Sequence, residues 1–237
     1  MRIDERLARG DGPIVSFEFG PPRSVEAELS LWAAIDELAR LEPAFVSVTC
    51  GAGGSTRDLT LAVVRRLARE RRLEAVPHVT CTGFTREDLV ALLAEAAGGG
   101  ADNVVALRGD PPRGDAEWRA PEGGLSSSVE LAALAHEAGF CVLGGCYPEP
   151  HQDSRGWAAD LAHLRAKIDA GVRVLVTQLF FDNDDYRRLI DRLRAGGVEV
   201  PVLPGIIPVT SVAQIARMSA LCGATIPPVF RRSLEAC

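Results

Sequence analysis

The feature that most constrains the fold is a regular alternation of short valine-rich segments with longer segments whose apolar residues recur at helical spacing. Recurrence every three or four positions is typical of an amphipathic helix, and short apolar runs between turn residues are typical of buried strands. Strands separated by helices pair in parallel, so the sequence predicts an α/β fold, either a closed (βα) barrel or an open doubly wound sheet. The seven predicted strands are Ile14 to Phe19, Phe45 to Thr49, Ala75 to Thr80, Asn103 to Leu107, Phe140 to Gly145, Val172 to Gln178 and Val200 to Gly205.

The predicted helices carry apolar stripes and have turn residues at their ends. One such stripe is formed by Leu31, Ile35 and Leu41, which we expect to face the sheet. Thr85 with Asp88 three residues later is the pattern of a capping box. Other predicted helix starts are Ser55-Thr56, Asp182-Asn183 and Thr210-Ser211, and the predicted helix ends are Gly139, Gly171, Gly196 and Gly223.

Length and charge limit the class of protein. A chain of 237 residues with 47% hydrophobic content has the size of one large α/β barrel, so we expect a single domain over residues 1–237. The balance of 26 basic and 32 acidic residues gives a net charge of −6, which argues against nucleic acid and anionic membrane as partners. No signal peptide or apolar run of about 20 residues is present, which predicts a cytoplasmic protein, with a homo-oligomer left open.

The six cysteines lack the spacing of a disulfide framework or of a familiar zinc site. They stand at Cys50, Cys81, Cys141, Cys146, Cys222 and Cys237 and contain no CxxC, so in the cytoplasm we expect reduced thiols. His78-x-x-Cys81 combined with Cys146-x4-His151 is a possible zinc set, but its spacing matches no familiar structural zinc site, and we predict no metal.

Polar residues follow six of the predicted strands at their C-terminal ends. They are Glu18, Thr49, His78, Arg108 with Asp110, Tyr147 with His151, and Gln178. A barrel gathers the C-terminal ends of all its strands on the catalytic face, whereas an open sheet binds ligands mainly at one switch point. This distribution favours the barrel. The alternative is that polar residues simply mark the points where strands meet loops.

Glu18 lies between Phe17 and Phe19 at the end of the first predicted strand, just before Gly20 and two prolines. Aromatic neighbours and little water would disfavour the charged carboxylate and raise its pKa, which suits a general acid at neutral pH. The alternative interpretation is an exposed glutamate on an edge strand.

Four further segments are candidates for a place in the site. Gly51-Ala52-Gly53-Gly54 permits close approach of the backbone to a ligand, and Arg108-Gly109-Asp110 precedes two prolines in a stiff polar turn, where an ion pair is the alternative role. The irregular stretch from Pro111 to Ser128 is a possible lid. Asp160 and Lys167 are seven residues apart on one helix face, and a solvated face is the alternative interpretation.

Several blocks, in order, resemble the methylenetetrahydrofolate reductase family. The blocks are Ser16 to Pro22, Phe45 to Asp58, Pro77 to Cys81, Leu107 to Pro112, Tyr147 to His151, Lys167 to Gly171, Thr177 to Asp182 and Pro204 to Val209. The resemblance implies a (βα)8 barrel of the TIM type that holds FAD. It further implies that NADH or NADPH reduces the FAD, which then reduces 5,10-methylenetetrahydrofolate to 5-methyltetrahydrofolate, a step of one-carbon metabolism that supplies methionine.

The resemblance also implies roles for individual residues. Glu18 matches the acid that protonates a folate nitrogen, and Asp110 matches a catalytic carboxylate between flavin and pterin. Gln178 and Gln214 match folate-binding amides, and Thr49 matches a nicotinamide-binding position. The positions that match cofactor contacts are Thr49, Cys50, Ala52, His78, Arg108, Gly109, Asp110, Gly145, Tyr147, His151, Ser154, Asp160, His163 and Lys167.

The sequence also departs from the family pattern. Cys50 replaces a tyrosine, Gly145 replaces an alanine, and His163 and Ala166 replace polar or basic flavin contacts, so weaker FAD binding is expected. The stretch around Ser127 lacks a usual Tyr-Ala pair.

The family's eighth βα unit has no counterpart among the predicted strands, so we expect a barrel with an open seam between the first and seventh strands. The alternatives are a truncated non-catalytic barrel that binds folate or a partner, and a flavin-free barrel for methyl transfer.

Overall fold

The computed structural model describes residues 1–51, 54–110, 120–151 and 154–235. Within these ranges seven strands form a sheet whose strand order follows the chain. They are β1 (Ser16–Phe19), β2 (Phe45–Val48), β3 (Ala75–Thr80), β4 (Asn103–Leu107), β5 (Cys141–Cys146), β6 (Val172–Thr177) and β7 (Val202–Leu203). Parallel pairing and the intervening helices confirm the predicted fold class, an α/β fold of the (βα)8 TIM-barrel type with seven strands in the described part.

Helices separate the strands as the periodicity predicts. They are α1 (Ile3–Ala8), α2 (Val25–Leu38), α3 (Arg57–Arg66), α4 (Arg86–Gly99), α5 (Ser128–Glu137), α6 (Trp157–Asp169), α7 (Asn183–Ala195), α8 (Val212–Cys222) and α9 (Pro228–Glu235). The predicted capping box of α4 is confirmed, because Thr85 and Asp88 bond to each other's backbone N–H groups. Asp182 and Ser211 also cap their helices as predicted.

The last strand is shorter than predicted. The sequence predicts residues 200–205, but β7 contains only Val202 and Leu203. The flanking residues Pro201 and Pro204 have no backbone N–H to donate to a ladder, which confines the pairing to the two residues between them.

The chain divides into two compact units. Unit 1 contains residues 1–144 and 170–173, and unit 2 contains residues 145–169 and 174–237. The single domain expected from the chain length therefore stays a prediction.

Unit 1 is built on the parallel register of its first four strands. Glu18 pairs with Ser47 in that register, and His78 pairs with Val105. Fully buried aliphatic side chains from strands and helices fill the core, including Val48, Val76, Leu89, Leu93 and Leu131. Full burial of such a side chain contributes about 1.5–3 kcal/mol.

Trp32 fixes the packing of α2 against α3 in unit 1. Only 8% of its surface is exposed, and its Nε1–H donates to Glu28 Oε1 at 3.2 Å. The guanidinium groups of Arg66 and Arg71 lie 4.1 Å and 5.3 Å from the indole ring centre. Both arginines therefore make cation–π contacts with one indole.

Unit 2 has its own apolar centre. Leu164, Leu189 and Leu193 are buried there, and the rings of Phe180 and Tyr186 stack with centroids 5.5 Å apart. On the surface of this unit the Arg192 guanidinium lies 5.5 Å from the ring centre of Trp157.

The apolar stripe of α2 is confirmed in part. Leu31 and Ile35 are buried, but Leu41 is 65% exposed. The α-helical period ends at Leu38 and a 3₁₀ turn follows, so Leu41 rotates away from the face that the sequence pattern assigns to it.

None of the helices in the described ranges has the length and hydropathy needed to cross a bilayer.

Candidate functional site

Three neighbouring strands of unit 1 bring a carboxylate, a hydroxyl and an imidazole together. Glu18 on β1 receives a hydrogen bond from the Ser47 hydroxyl of β2, with 3.4 Å between Oγ and Oε2. The same carboxylate oxygen lies 3.3 Å from Nε2 of His78 on β3. The parallel register places all three side chains on one face of the sheet.

The pKa of Glu18 is lower than its ordinary value, which contradicts the sequence-based expectation. Burial acts to raise the pKa, but the hydrogen bond and charge of His78, with the Ser47 hydroxyl, outweigh it. The Glu18 side chain is 55% exposed. Successive side chains of a strand point to opposite faces, so Phe17 and Phe19 lie on the other side of β1 and do not enclose the carboxyl. In unit 1, Glu18 is therefore a partly exposed carboxylate with a histidine partner.

The polar turn after β4 is held by residues that follow β3. The Arg108 carbonyl accepts hydrogen bonds from the Thr82 hydroxyl at 2.7 Å, from the Thr82 N–H at 3.0 Å and from the Cys81 thiol at 3.2 Å. Gly109 has φ +84°, and a Cβ there would lie 2.9 Å from Thr80 Cβ. Glycine fits this turn because it has no side chain to clash with Thr80 and tolerates a positive φ. The side chains of Arg108 and Asp110 on either side of it are exposed at the end of the strand.

The segment after β2 is ordered by threonines of the next helix. The Thr49 carbonyl accepts from the Thr60 hydroxyl at 2.8 Å, and the Gly51 N–H donates to Thr56 Oγ1 at 2.7 Å. Cys50 is half-buried, and burial raises the pKa of its thiol despite nearby threonine hydroxyls. The proposed contact at Ala52 and residues 111–119, which are half of the Pro111 to Ser128 stretch, lie outside the described residues.

Lys167 in unit 2 is buried rather than solvated. It is the only lysine of the sequence, and only 7% of its surface is exposed. Its Nζ donates to the Gly145 carbonyl at 2.9 Å. Burial lowers the pKa of this amine, and the neighbouring Cys146 acts in the opposite direction. The interpretation of Lys167 as part of a solvated helix face is therefore wrong.

Other expected binding residues of unit 2 lie near the start of α6. The Ser154 hydroxyl donates to Asp160 Oδ2 at 2.7 Å and accepts from the Gly156 N–H at 3.0 Å, which fixes the first turn of the helix. The rings of Tyr147 and His151 meet edge to face with centroids 4.7 Å apart. His163 is exposed on the same helix.

Gln178 and Gln214 have local structural partners. Gln178 Oε1 accepts from the Leu179 N–H at 2.8 Å. Gln214 Oε1 accepts from the N–H and the hydroxyl of Thr210, each at 2.9 Å, while the Gln214 N–H donates to the Ser211 hydroxyl. The Gln214 bonds cap α8. Both amide oxygens are occupied, which leaves the amide nitrogens to act as donors.

The structure brings some expected residues together and adds others. Glu18 and His78 meet in unit 1, and three pairs meet in unit 2, namely Gly145 with Lys167, Tyr147 with His151, and Ser154 with Asp160. Ser47 and Thr82 were missed by the sequence argument. The signal for Ser47 was its place inside an otherwise apolar strand of four residues.

The zinc alternative finds no support in the described ranges, where no group of three His, Cys, Asp or Glu side chains is placed to hold a metal ion. The five cysteines within those ranges are free thiols, as predicted.

Comparison with known proteins gives one consistent family. A family model described as methylenetetrahydrofolate reductase matches residues 2–237. The 5,10-methylenetetrahydrofolate reductases of Salmonella typhimurium and Escherichia coli K12 are each 39% identical to the chain, over 95% of it and 75% of their own length. Methylenetetrahydrofolate reductase (NADH) 1 of Zea mays is 34% identical over 99% of this chain and 42% of its own length.

Solved structures of distant proteins share the fold alone. A protein from Aquifex aeolicus VF5 is 11% identical, with a TM-score of 0.58 over 98% of this chain and 92% of its own. Tryptophan synthase from M. tuberculosis is 16% identical, with a TM-score of 0.55 over 94% of this chain and 85% of its own.

Proposed function

The chain belongs to the methylenetetrahydrofolate reductase family, and on this basis we propose that it reduces 5,10-methylenetetrahydrofolate to 5-methyltetrahydrofolate with NADH or NADPH as the electron donor and FAD as the cofactor. The observation that carries the proposal is the Glu18–His78 pair, in which Nε2 lies 3.3 Å from Oε2. A family match alone names a reaction, whereas this pair supplies the proton chemistry that the reaction needs.

Each unit has a cationic side chain of the kind that binds phosphate. In unit 1 the Arg108 side chain is exposed at the end of β4. In unit 2 the Lys167 ammonium uses one of its three N–H groups on the Gly145 carbonyl. Guanidinium and ammonium groups are natural partners for phosphate oxygens. FAD, when bound, would accept hydride from the nicotinamide and deliver it to the folate.

The geometry around Glu18 suggests how a carboxylate with a lowered pKa becomes an acid. More than half of its side chain faces solvent in the ligand-free chain. A bound flavin and folate would cover that surface, and removal of water disfavours the charged form. Glu18 Oε2 would then hold a proton and give it to a nitrogen of the folate, which opens the methylene bridge.

Other residues would orient the substrates. The Nε2 amides of Gln178 and Gln214 stay available as donors because their oxygens are engaged by the backbone and Thr210. We assign them to folate, with Asp110 as a second carboxylate between flavin and pterin and Thr49 beside the nicotinamide. The remaining expected FAD contacts are Cys50, Ala52, His78, Gly109, Gly145, Tyr147, His151, Ser154, Asp160 and His163.

An absorption spectrum followed by two half-reactions tests this proposal. We expect a flavin band that NADH or NADPH bleaches in the absence of oxygen and that methylenetetrahydrofolate restores. The nucleotide that bleaches faster identifies the donor. A flavin that is reduced but never reoxidised by the folate would contradict the reductase and favour a non-catalytic barrel. A colourless folded protein that transfers methyl groups would instead favour the flavin-free alternative.

A further inference from the structure

The last described helix, α9, packs against the rest of unit 2 with one side only. The Phe230 and Leu234 side chains are half-buried, whereas the Val229 side chain between the same turns is 66% exposed. Residues four positions apart lie on the same side of a helix, so Phe230 and Leu234 form the packed side. None of the eight described residues of α9 is fully buried.

Two contacts hold the segment that contains α9 against loops of unit 2. The Thr225 N–H donates to Glu149 Oε2 at 2.7 Å. The rings of Phe230 and Phe181 stack with centroids 6.1 Å apart and an angle of 29° between their planes. Glu149 follows the C-terminal end of β5, and Phe181 follows the C-terminal end of β6. In parallel α/β folds ligands bind at these strand ends, so the segment lies where a ligand is expected.

The same two loops contain residues that the proposed function assigns to ligands. Glu149 stands between Tyr147 and His151, and Phe181 stands three positions after Gln178. A segment that is bound to both loops covers the strand ends beside these groups. Ligands that use the loops would therefore have to displace it.

We propose that residues 225–235 form an autoinhibitory flap, which lifts from Glu149 and Phe181 before flavin and folate bind in unit 2. The identity of the ligands rests on the proposed function, whereas the opening of the flap does not. A helix without fully buried residues can open locally at a small cost in free energy. Because only open molecules bind, the apparent Kd is the intrinsic Kd divided by the open fraction.

FAD titrations of Phe230→Ala and the wild type test the flap. The variant loses one aromatic pair, so the open fraction and the affinity for FAD should rise by about two- to tenfold. Val229→Ala is the matched control, because it removes an exposed side chain from the same helix and should bind FAD as the wild type does. Weaker binding in Phe230→Ala would make α9 a wall of the site, and equal binding would show no competition. Either result would overturn the proposal.

Variants of Glu149 release the other end of the flap and decide the question even where Phe230→Ala fails to fold. Glu149→Ala removes the acceptor of the Thr225 N–H and should also raise the affinity for FAD. Glu149→Gln keeps a side-chain oxygen for this N–H and should stay close to the wild type. Equal affinities in Glu149→Ala and the wild type would contradict the flap.

Hydrogen exchange of the Thr225 amide, followed by NMR, measures the opening without any ligand. This N–H is bonded to Glu149, so it exchanges when the flap lifts. We expect exchange about two- to tenfold faster in Phe230→Ala than in the wild type or Val229→Ala. Equal rates in all three would overturn the flap. Absence of FAD binding in every variant would instead reject the proposed function, and the exchange rates would still decide whether the flap opens.

Discussion

His78 and Glu18 form a hydrogen-bonded pair across three strands, with Nε2 of the imidazole 3.3 Å from Oε2 of the carboxylate. The pair joins an imidazole to a carboxylate whose pKa lies below its ordinary value, because the hydrogen bond and charge of His78 outweigh the effect of burial. An imidazole at this distance gives Glu18 a proton partner within the protein when bound ligands displace water. This relationship gives the first prediction its reason.

Glu18→Gln should separate the two half-reactions. The amide keeps the size of the side chain but cannot donate a proton as an acid, so folate reduction should fall by about a hundred- to ten-thousandfold. Reduction of the flavin by the nicotinamide needs no such acid and should change less than about threefold. Stopped-flow absorbance of each half-reaction is the measurement, and equal losses in both would make Glu18 a structural residue.

Lys167→Met should weaken FAD binding without unfolding the protein. Methionine retains most of the buried stem but removes the ammonium, which costs about ten- to a hundredfold in affinity for a phosphate group. The free energy of unfolding should stay within about 1 kcal/mol of the wild type, because a buried charge with a single protein hydrogen bond is lost together with that bond.

Lys167→Ala is the contrasting variant, since it leaves a cavity and should lower stability as well as affinity. Flavin titrations and urea denaturation of both variants decide the outcome. Wild-type flavin affinity in Lys167→Met would remove Lys167 from the cofactor site.

Isotope labelling can report the pKa of Lys167 without a mutation, because a chain with one lysine gives one side-chain amine signal. We expect the midpoint of its titration to lie below the ordinary 10.5 in the flavin-free protein, since burial disfavours the ammonium. Addition of an anionic dinucleotide should move the midpoint upward. A midpoint at or above 10.5 in the flavin-free protein would contradict the burial of this amine.

Cys146 should make the protein less stable at alkaline pH. Burial raises the pKa of its thiol to about 12, so the folded chain keeps a proton that the unfolded chain loses above its ordinary value of 9.0. This contribution to stability is complete below pH 9 and is lost as the pH rises towards 12. Cys146→Ala removes it, so the stability difference between wild type and variant should shrink by about 1.4 kcal/mol per pH unit in that window.

Urea denaturation between pH 7 and about pH 10.5 measures this difference. Cys222→Ala is the control, because that thiol is only half-buried and should show a shallower dependence. A constant difference for Cys146→Ala across the window would show that the folded chain ionises this thiol as readily as the unfolded chain does.

Gly109→Ala should cost more stability than Gly139→Ala. Both glycines have left-handed backbone conformations, with φ +84° and +93°. Alanine at either site would therefore lower stability by about 1–2 kcal/mol through backbone strain. At Gly109 the new methyl would also meet Thr80 Cβ at 2.9 Å and Thr82 Oγ1 at 3.0 Å, whereas Gly139 has open space. We expect an additional cost of about 1–3 kcal/mol and weaker flavin binding for Gly109→Ala alone. Thermal denaturation of the pair is the check, and equal losses would show that the turn adapts.

The alternation of strands and helices was predictable because each element satisfies its own period and its own caps. The capping box of Thr85 and Asp88 shows this, since the two residues lie three positions apart at the start of α4 and need no distant partner. Leu41 and β7 were less predictable. The change from α-helix to 3₁₀-helix after Leu38 turns Leu41 away from the buried face. Two prolines without backbone N–H groups shorten β7.

The chemistry of the site depended on contacts that no local pattern contains. The sequence places Glu18 between two phenylalanines, but strand alternation turns those rings away, and the residue that sets its pKa is sixty positions later on β3. For Lys167 the sequence pattern underestimates the burial of the side chain, whereas for Glu18 it overestimates it. A cation on a helix with a mixed apolar face was compatible with exposure, and only the packing of α6 against the end of β5 shows that it is buried.

Trp32 and Trp157, each in contact with arginine side chains, give the two units separate fluorescent reporters. Indole emission responds to the charge and water around the ring, so loss of the arginine contact on unfolding would change the signal of the unit concerned. With Trp118 and one of the two indoles replaced by phenylalanine, the remaining emission would follow a single unit. Coincident denaturation curves would then show that the units unfold together, and separated curves would reveal a partly folded intermediate.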